Sequence, residues 1–313
     1  MSTSVLFDAP GPRARRRHRI LTVVGIVLIV AILGLALRKM QQAGQLEPAL
    51  WKPFLTDRAV WRDYLVNGLV GTFKAAAISI VLAAVFGLVF GIGRLSPITP
   101  IRWFCGVVVE FFRSVPVLLM MIFAYFGLFA RGDLFSASTA PLAAVVTGLT
   151  LYNGSVLAEL VRSGVYSLPK GQSEAGLSIG LTSWQTLRSI QLPQALTAML
   201  PALIGQFVVI LKDSALGYQV TYPELLNWSK TLGSAFSNTV PAYLVAAMLF
   251  ILMNYTLTVI AGRVSRRINR RGKTAGGAQT NAMPGAPLGT GTMPAQGVGG
   301  SNVQNIDPTS TAR

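Results

Sequence analysis

The chain has 313 residues, 52% hydrophobic and only 12% charged, with 27 Lys and Arg against 11 Asp and Glu for a formal net charge of +16, and its mean hydropathy is +0.54. An average soluble domain carries about 25% charged residues, so the composition excludes a soluble globular protein and predicts a polytopic, all-α membrane protein. The single cysteine, Cys105, excludes an internal disulfide and leaves no thiolate cluster for a metal.

In chain order, a basic segment (Arg13, Arg15, Arg16, Arg17, Arg19) precedes a first predicted helix at 20–38. Gly34 and Ala36 also fit a signal-peptide cleavage pattern, but the apolar run exceeds the usual ~7–15 residues, which favours a retained anchor. Residues 39–66 carry Lys39, Lys52, Arg58 and Arg62, offset by Asp57 and Asp63, with Trp51, Trp61 and Tyr64 marking an interfacial linker. Five more helices are predicted near 68–94, 104–130, 140–165, 195–216 and 240–262, from runs free of charge and histidine that approach the ~20 residues a bilayer requires. Arg94 and Arg102 lie between the second and third helices, and Arg263, Arg266, Arg267, Arg270, Arg271 and Lys273 follow the sixth. The positive-inside rule makes these ends, and the loop at 169–193, cytoplasmic. Basic residues gathered at helix ends point to membrane topology and anionic lipid; nucleic acid would need one basic face with stacking aromatics. From 264 the chain is basic, and from 274 to 313 it is rich in Gly, Ala, Thr, Pro, Gln and Asn, the composition of a disordered tail.

The polar loop at 169–193 has its own local logic. Pro169 suits a first helical turn, Gly180 suits a helix C-terminus with positive φ, and Thr182 with Gln185 forms a capping-box pattern. Two short helices are expected, the second ending at Pro193. The skeleton Glu174-Ala175-Gly176, Gly180, Ile190, Leu192-Pro193 resembles the EAA signature of the membrane-spanning subunits of ABC importers, with Gly176 where that family usually has Ala. The resemblance implies coupling helices that dock into an ATPase subunit and a coupling role for Gly171, Glu174, Ala175, Gly176, Gly180, Ile190, Leu192 and Pro193.

Flanking motifs extend the likeness over 67–263. Glu110-Phe111-Phe112-Arg113-Ser114-Val115-Pro116, Ala158-Glu159-Leu160-Val161-Arg162-Ser163-Gly164, Leu168-Pro169-Lys170-Gly171-Gln172 and Leu211-Lys212-Asp213-Ser214 resemble the polar amino-acid permeases, with Ser114 and Ser163 where the family usually has Gly. That family implies a type I importer permease core at 67–263 behind an extra helix, set in a bacterial cytoplasmic membrane. It implies, as partners, a dimer of ABC ATPase subunits binding ATP-Mg, a second permease subunit and an extracytoplasmic amino-acid-binding protein. Whole-chain likeness to actinobacterial glutamate permeases makes glutamate the first expectation, with glutamine, aspartate or a basic amino acid as alternatives.

Glu110 with Arg113, and Glu159 with Arg162, are spaced i,i+3 and share a helix face. A zwitterionic substrate needs an anion for its ammonium and a guanidinium for its carboxylate, so both pairs are candidate pathway residues; the alternative is that each pair neutralises itself. Asp213 is a further pathway candidate, whereas Lys212 and Lys74 snorkel. Asn67 and Thr72 are weaker candidates for the wall. Glu224, beside Tyr218, Tyr222 and Trp228, fits either a binding-protein docking surface or an interfacial aromatic belt. Gly272-Lys273-Thr274 imitates the end of a Walker A motif, but Arg267 stands where its first Gly belongs. No ATP site, catalytic triad or metal set is expected within the chain, and the remaining alternatives are an ion-coupled secondary transporter and a channel or passive scaffold.

Overall fold

A computed structural model describes residues 11–132 and 134–276, with the side chains of Pro12 and of 265–276 outside that description. The sixth helix, foreseen to end near 262, runs on through the basic segment to Gly276, and the expected low-complexity tail beyond Gly276 lies outside the described residues. A short unit, Gly272–Arg313, separates from the main unit, Met1–Arg271. Every regular element among the described residues is helical: α1 (Pro12–Gln42), α2 (Pro48–Thr56), α3 (Val66–Gly93), α4 (Thr99–Ser114), α5 (Val117–Ile122), α6 (Ala140–Tyr166), α7 (Gly171–Ser178), α8 (Ser183–Thr186), α9 (Leu192–Asp213), α10 (Leu225–Ala235) and α11 (Thr239–Gly276). Five helical stretches are long and apolar enough to cross a membrane, or six if one bent pair counts as a single span.

Three further expectations change. The helix foreseen at 104–130 is broken: α4 and the stretch Val117–Phe129 meet at 98°. Pro116 disfavours helical backbone at the residue before it, and Val115 is accordingly extended (φ −88°, ψ 128°). The helix foreseen from 68 begins at Val60, because the π-helical turn Val60–Leu65 runs directly into α3. Pro193 does not end the second loop helix. Ser183–Val220 is one continuous helical stretch, with a π-helical turn at Leu187–Gln191 just before the proline. That wider turn reorganises the hydrogen bonds where Pro193 lacks a donor, so the loop continues into the fifth predicted span.

α6 is the axis of the bundle. In its most apolar stretch 61% of residues are buried within the chain, against 11% for α11 and none for α1. Small residues let α3 approach it closely. A Cβ on Gly87 would lie 2.5 Å from Leu157 Cβ, one on Gly91 2.9 Å from Val161 Cβ, and one on Gly154 2.7 Å from the Phe86 ring. In hydrocarbon, where apolar burial drives little helix association, such close contact is what holds helices together. Around it Ala75, Ala83, Met121, Val145, Leu149, Leu157 and Ile210 form a buried cluster joining α3, α5, α6 and α9. A second cluster of Leu65, Leu211, Leu225, Leu232, Ala242 and Ala246 ties α10 and α11 to the opposite end of α3 from Arg94.

Overpacking a close contact typically costs about 1–3 kcal/mol. Gly87→Val is therefore expected to lower the yield of monodisperse protein from membranes by several-fold. Gly34→Val, at a position on α1 with nothing within 4 Å, should leave it unchanged; fluorescence-detected size exclusion of tagged variants measures both.

Candidate functional site

At the C-terminal ends of α3 and α6 the chain builds a compact polar loop. α7 closes in a Schellman motif: Leu181 N donates to Gly176 O at 3.2 Å and Gly180 N to Leu177 O at 3.0 Å, with Gly180 at φ +86°. α8 opens with the expected capping box, Gln185 N donating to Thr182 Oγ1 at 3.3 Å and Thr182 N to Gln185 Oε1 at 2.8 Å. The two helices pack so tightly that a Cβ on Gly176 would lie 2.7 Å from Thr186 Cγ2 and 3.2 Å from Ile190 Cδ1. This contact accounts for Gly where the resembled motif usually carries Ala. Gln194 Nε2 donates to Gln172 Oε1 at 3.0 Å, and buried Val165, Leu187 and Ala195 form the floor.

The predicted coupling residues thus divide by exposure. Gly171, Glu174, Ala175, Gly180 and Pro193 lie on the surface, whereas Gly176 is buried and Ile190 and Leu192 are half-buried. Beside the surface group stand exposed Leu177, Ile179 and Trp184, an apolar patch on an otherwise polar loop, as an interaction surface requires.

The four charged pathway candidates meet in one chain with a fifth member that sequence reading treated only as a topology marker. Arg94, at the C-cap of α3, donates to Glu159 Oε2 at 2.8 Å and to Glu110 Oε1 at 3.1 Å. Arg113 Nη2 reaches Glu110 Oε2 at 2.8 Å, and Arg162 Nη2 reaches Glu159 Oε1 at 2.6 Å. The two pairs are therefore one ionic string across α3, α4 and α6. Three guanidiniums face two carboxylates, leaving one excess positive charge. Glu159 lies six residues past Asn153, the midpoint of the 27-residue α6, which is about 9 Å along the axis towards the loop. Asp213 is not in this group; it closes α9 at the far end, 3.8 Å from Lys212 Nζ.

At the midpoint itself sits a pair that sequence reading missed. Gln206 Nε2 donates to Asn153 Oδ1 at 2.6 Å, and Asn153 Nδ2 to Leu149 O at 3.0 Å, joining α9 to α6. The signal was present as two amides inside runs free of charge, but a search for charges passes over them. At the far end, Thr72 is buried and accepts from Leu225 N at 3.1 Å, while Tyr222 Oη donates to Gly71 O at 2.8 Å. Asn67 donates to Asp63 O at 2.8 Å and is exposed. Glu224 is fully buried, so it offers nothing to a docking partner. It caps α10, accepting from Leu226 N and Asn227 N at 2.7 Å each. Burial raises its carboxyl to about 7, against the lowering effect of those two bonds.

A family model for the binding-protein-dependent transport system inner membrane component matches residues 83–270. The chain is 46% identical over 264 residues to the glutamate transport system permease protein GluD of Corynebacterium glutamicum, covering 84% of this chain and 93% of that protein. It is 36% identical to the probable glutamine ABC transporter permease protein GlnP of Bacillus subtilis, with 65% and 93% covered. Among solved structures, an amino acid ABC transporter with histidines superposes with TM-score 0.58 at 28% identity, covering 65% of this chain and 93% of that one. An inward-facing MetNI methionine ABC transporter, at 19% identity and TM-score 0.57, shares the fold.

Two outcomes follow from the loop and the cap. Gly180→Val places a β-branched residue at positive φ, at a cost of about 1–2 kcal/mol. It should leave membrane insertion intact and abolish co-purification of an ATPase subunit, measured by pull-down. For Glu224 the carboxyl is higher in the folded than in the unfolded state (about 7 against 4.5), so its contribution is fully present below about pH 4.5 and lost as pH rises through 7. The span corresponds to on the order of 3 kcal/mol. Glu224→Gln should flatten the fall in melting temperature between pH 5 and 8.

Proposed function

Because this chain belongs to the family of binding-protein-dependent transport system inner membrane components, we propose that it carries glutamate as a membrane-spanning subunit of an ATP-driven amino-acid importer. A multi-pass protein of the bacterial cytoplasmic membrane, it is a transport subunit. Hydrolysis of ATP-Mg falls to a dimer of partner ATPases docked on the loop Gly171–Pro193. A second permease subunit completes the pathway, and an extracytoplasmic binding protein delivers substrate.

The observation that carries the substrate reading is the excess cation of the Arg94 string. A monoanionic amino acid such as glutamate complements one spare guanidinium, whereas a basic amino acid would be repelled. Similarity to the glutamate permease GluD over 93% of its length supports the same choice. In this reading substrate passes the Asn153–Gln206 pair at the midpoint, with Asp213 nearer the entrance. It then meets Glu110, Arg113, Glu159 and Arg162 with Arg94 on the loop side. There a carboxylate competes with Glu159 and Glu110 for Arg94, so binding loosens the string that ties α3, α4 and α6. ATP binding by the partners moves the coupling helices and, through the continuous helix into α9, the wall of the pathway. The net charge also speaks against glutamine, which leaves the spare cation unpaired.

Proteoliposomes holding the subunit with its ATPase, second permease and binding protein test this. Glutamate should stimulate ATP hydrolysis only with the binding protein present, and unlabelled glutamate and aspartate should compete with labelled glutamate while arginine does not. Full-rate hydrolysis without substrate would remove the coupling scheme. Arg94→Gln should reduce uptake by at least about tenfold, the worth of one charge-assisted hydrogen bond. In Glu159→Gln with Arg162→Gln, abundance should recover relative to Glu159→Gln but transport should not; recovery of both makes the pair structural.

A further inference from the structure

Two neighbouring cavities lie between the α3–α4 turn and the coupling loop, where Glu174 and Trp184 also belong to the loop surface. The first, of about 470 Å³, lies between the α3–α4 turn and the loop, and its polar lining includes Ser96, Arg102, Tyr166, Lys170, Ser173 and Glu174. The second, of about 480 Å³, is apolar, lined by Val89, Ile92, Ile98, Ile101 and Trp184, and it shares Ser96 and Pro97 with the first. Val89, Ile98 and Ile101 are 60%, 54% and 44% exposed, so this second cleft opens on the lipid-facing side of α3 and α4. In the first cavity two cations stand against one carboxylate. Arg102 makes only 3.3 Å hydrogen bonds to Ser96 O and Thr99 Oγ1, and neither it nor Lys170 has a carboxylate partner among the described ion pairs.

We propose that the two cavities together bind one anionic phospholipid of the cytoplasmic leaflet, with the phosphodiester between Arg102 and Lys170 and an acyl chain in the cleft against Trp184. A cationic, hydroxyl-bearing chamber that shares Ser96 and Pro97 with an apolar one matches the two halves of such a molecule. A soluble anion would fill only the first chamber and leave the second bare. Ser96, Ser173 and Tyr166 supply donors for headgroup and ester oxygens, and Glu174 holds the net charge of the chamber to a single positive unit. The bound lipid joins the α3–α4 turn to both coupling helices, because Ser96 belongs to the turn, Lys170 precedes α7 and Trp184 lies in α8.

The assembled importer in nanodiscs tests this through quenching of Trp184, isolated by subtracting the W184F signal. Brominated phosphatidylglycerol should quench it about fivefold more effectively than brominated phosphatidylcholine, the preference expected of one net cation near the surface. R102Q with K170Q should remove the preference and R102K should keep it, with size-exclusion profiles unchanged. Equal quenching by the two lipids in the wild-type chain overturns the proposal even if the double variant fails to fold. Suppression of the preference by inorganic phosphate would reassign the chamber to a free anion. A preference seen only after the ATPase subunits are stripped would assign it to that partner. Both outcomes overturn the lipid site.

Discussion

The close approach of α3 to α6 is the constraint on which the rest of the molecule depends. Gly87, Gly91 and Gly154 leave no room for a Cβ between the two helices, and in lipid such backbone proximity replaces the hydrophobic drive that packs soluble helices. The same approach brings Arg94, at the end of α3, within 2.8 Å of Glu159 on α6. From there the ionic string reaches α4 through Glu110. Charges that would be costly in hydrocarbon are each held by one or two opposite charges, so the polar cluster follows from apolar packing.

The loop between α6 and α9 is held together for a different reason. Its first helix is closed by a Schellman motif, its second is opened by a capping box, and the pair is locked where Gly176 meets Thr186. The second helix then passes without interruption into α9, whose Gln206 holds Asn153 on α6. The loop is thus joined to the middle of the bundle by one continuous helical stretch, which carries the π-helical turn Leu187–Gln191 and Pro201 on the way. The break at Ser114–Pro116, by contrast, turns α4 sharply away from the stretch that follows and so lets Glu110 face Arg94 independently of α5.

The periphery is organised for lipid. None of the described side chains of α1 is buried within the chain, and Val81, Val85 and Val89 on α3 and Met248, Ile251 and Leu252 on α11 are exposed. Exposure of this kind in an apolar helix is satisfied by acyl chains or by another membrane helix.

By itself the sequence determined what depends on composition and short range. Long uncharged runs made the chain an all-helical membrane protein, and Thr182, Gln185 and Gly180 dictated the caps of the loop, because each acts on neighbours within a few residues. The coupling loop was legible for that reason, even to the positive φ of Gly180. Tertiary structure decided what depends on distance. Only the packing of α3 on α6 shows that Arg94, 65 residues from Glu159, belongs to the same charged string, or that the Glu110 and Glu159 pairs meet while Asp213 stands apart. Only side-chain burial turns Glu224 from a surface candidate into a helix cap. Pro193 failed as a stop signal because its cost falls on a single backbone hydrogen bond, which a π turn relieves. Register along a helix is written locally, but which ends meet is settled by how closely the backbones can pack.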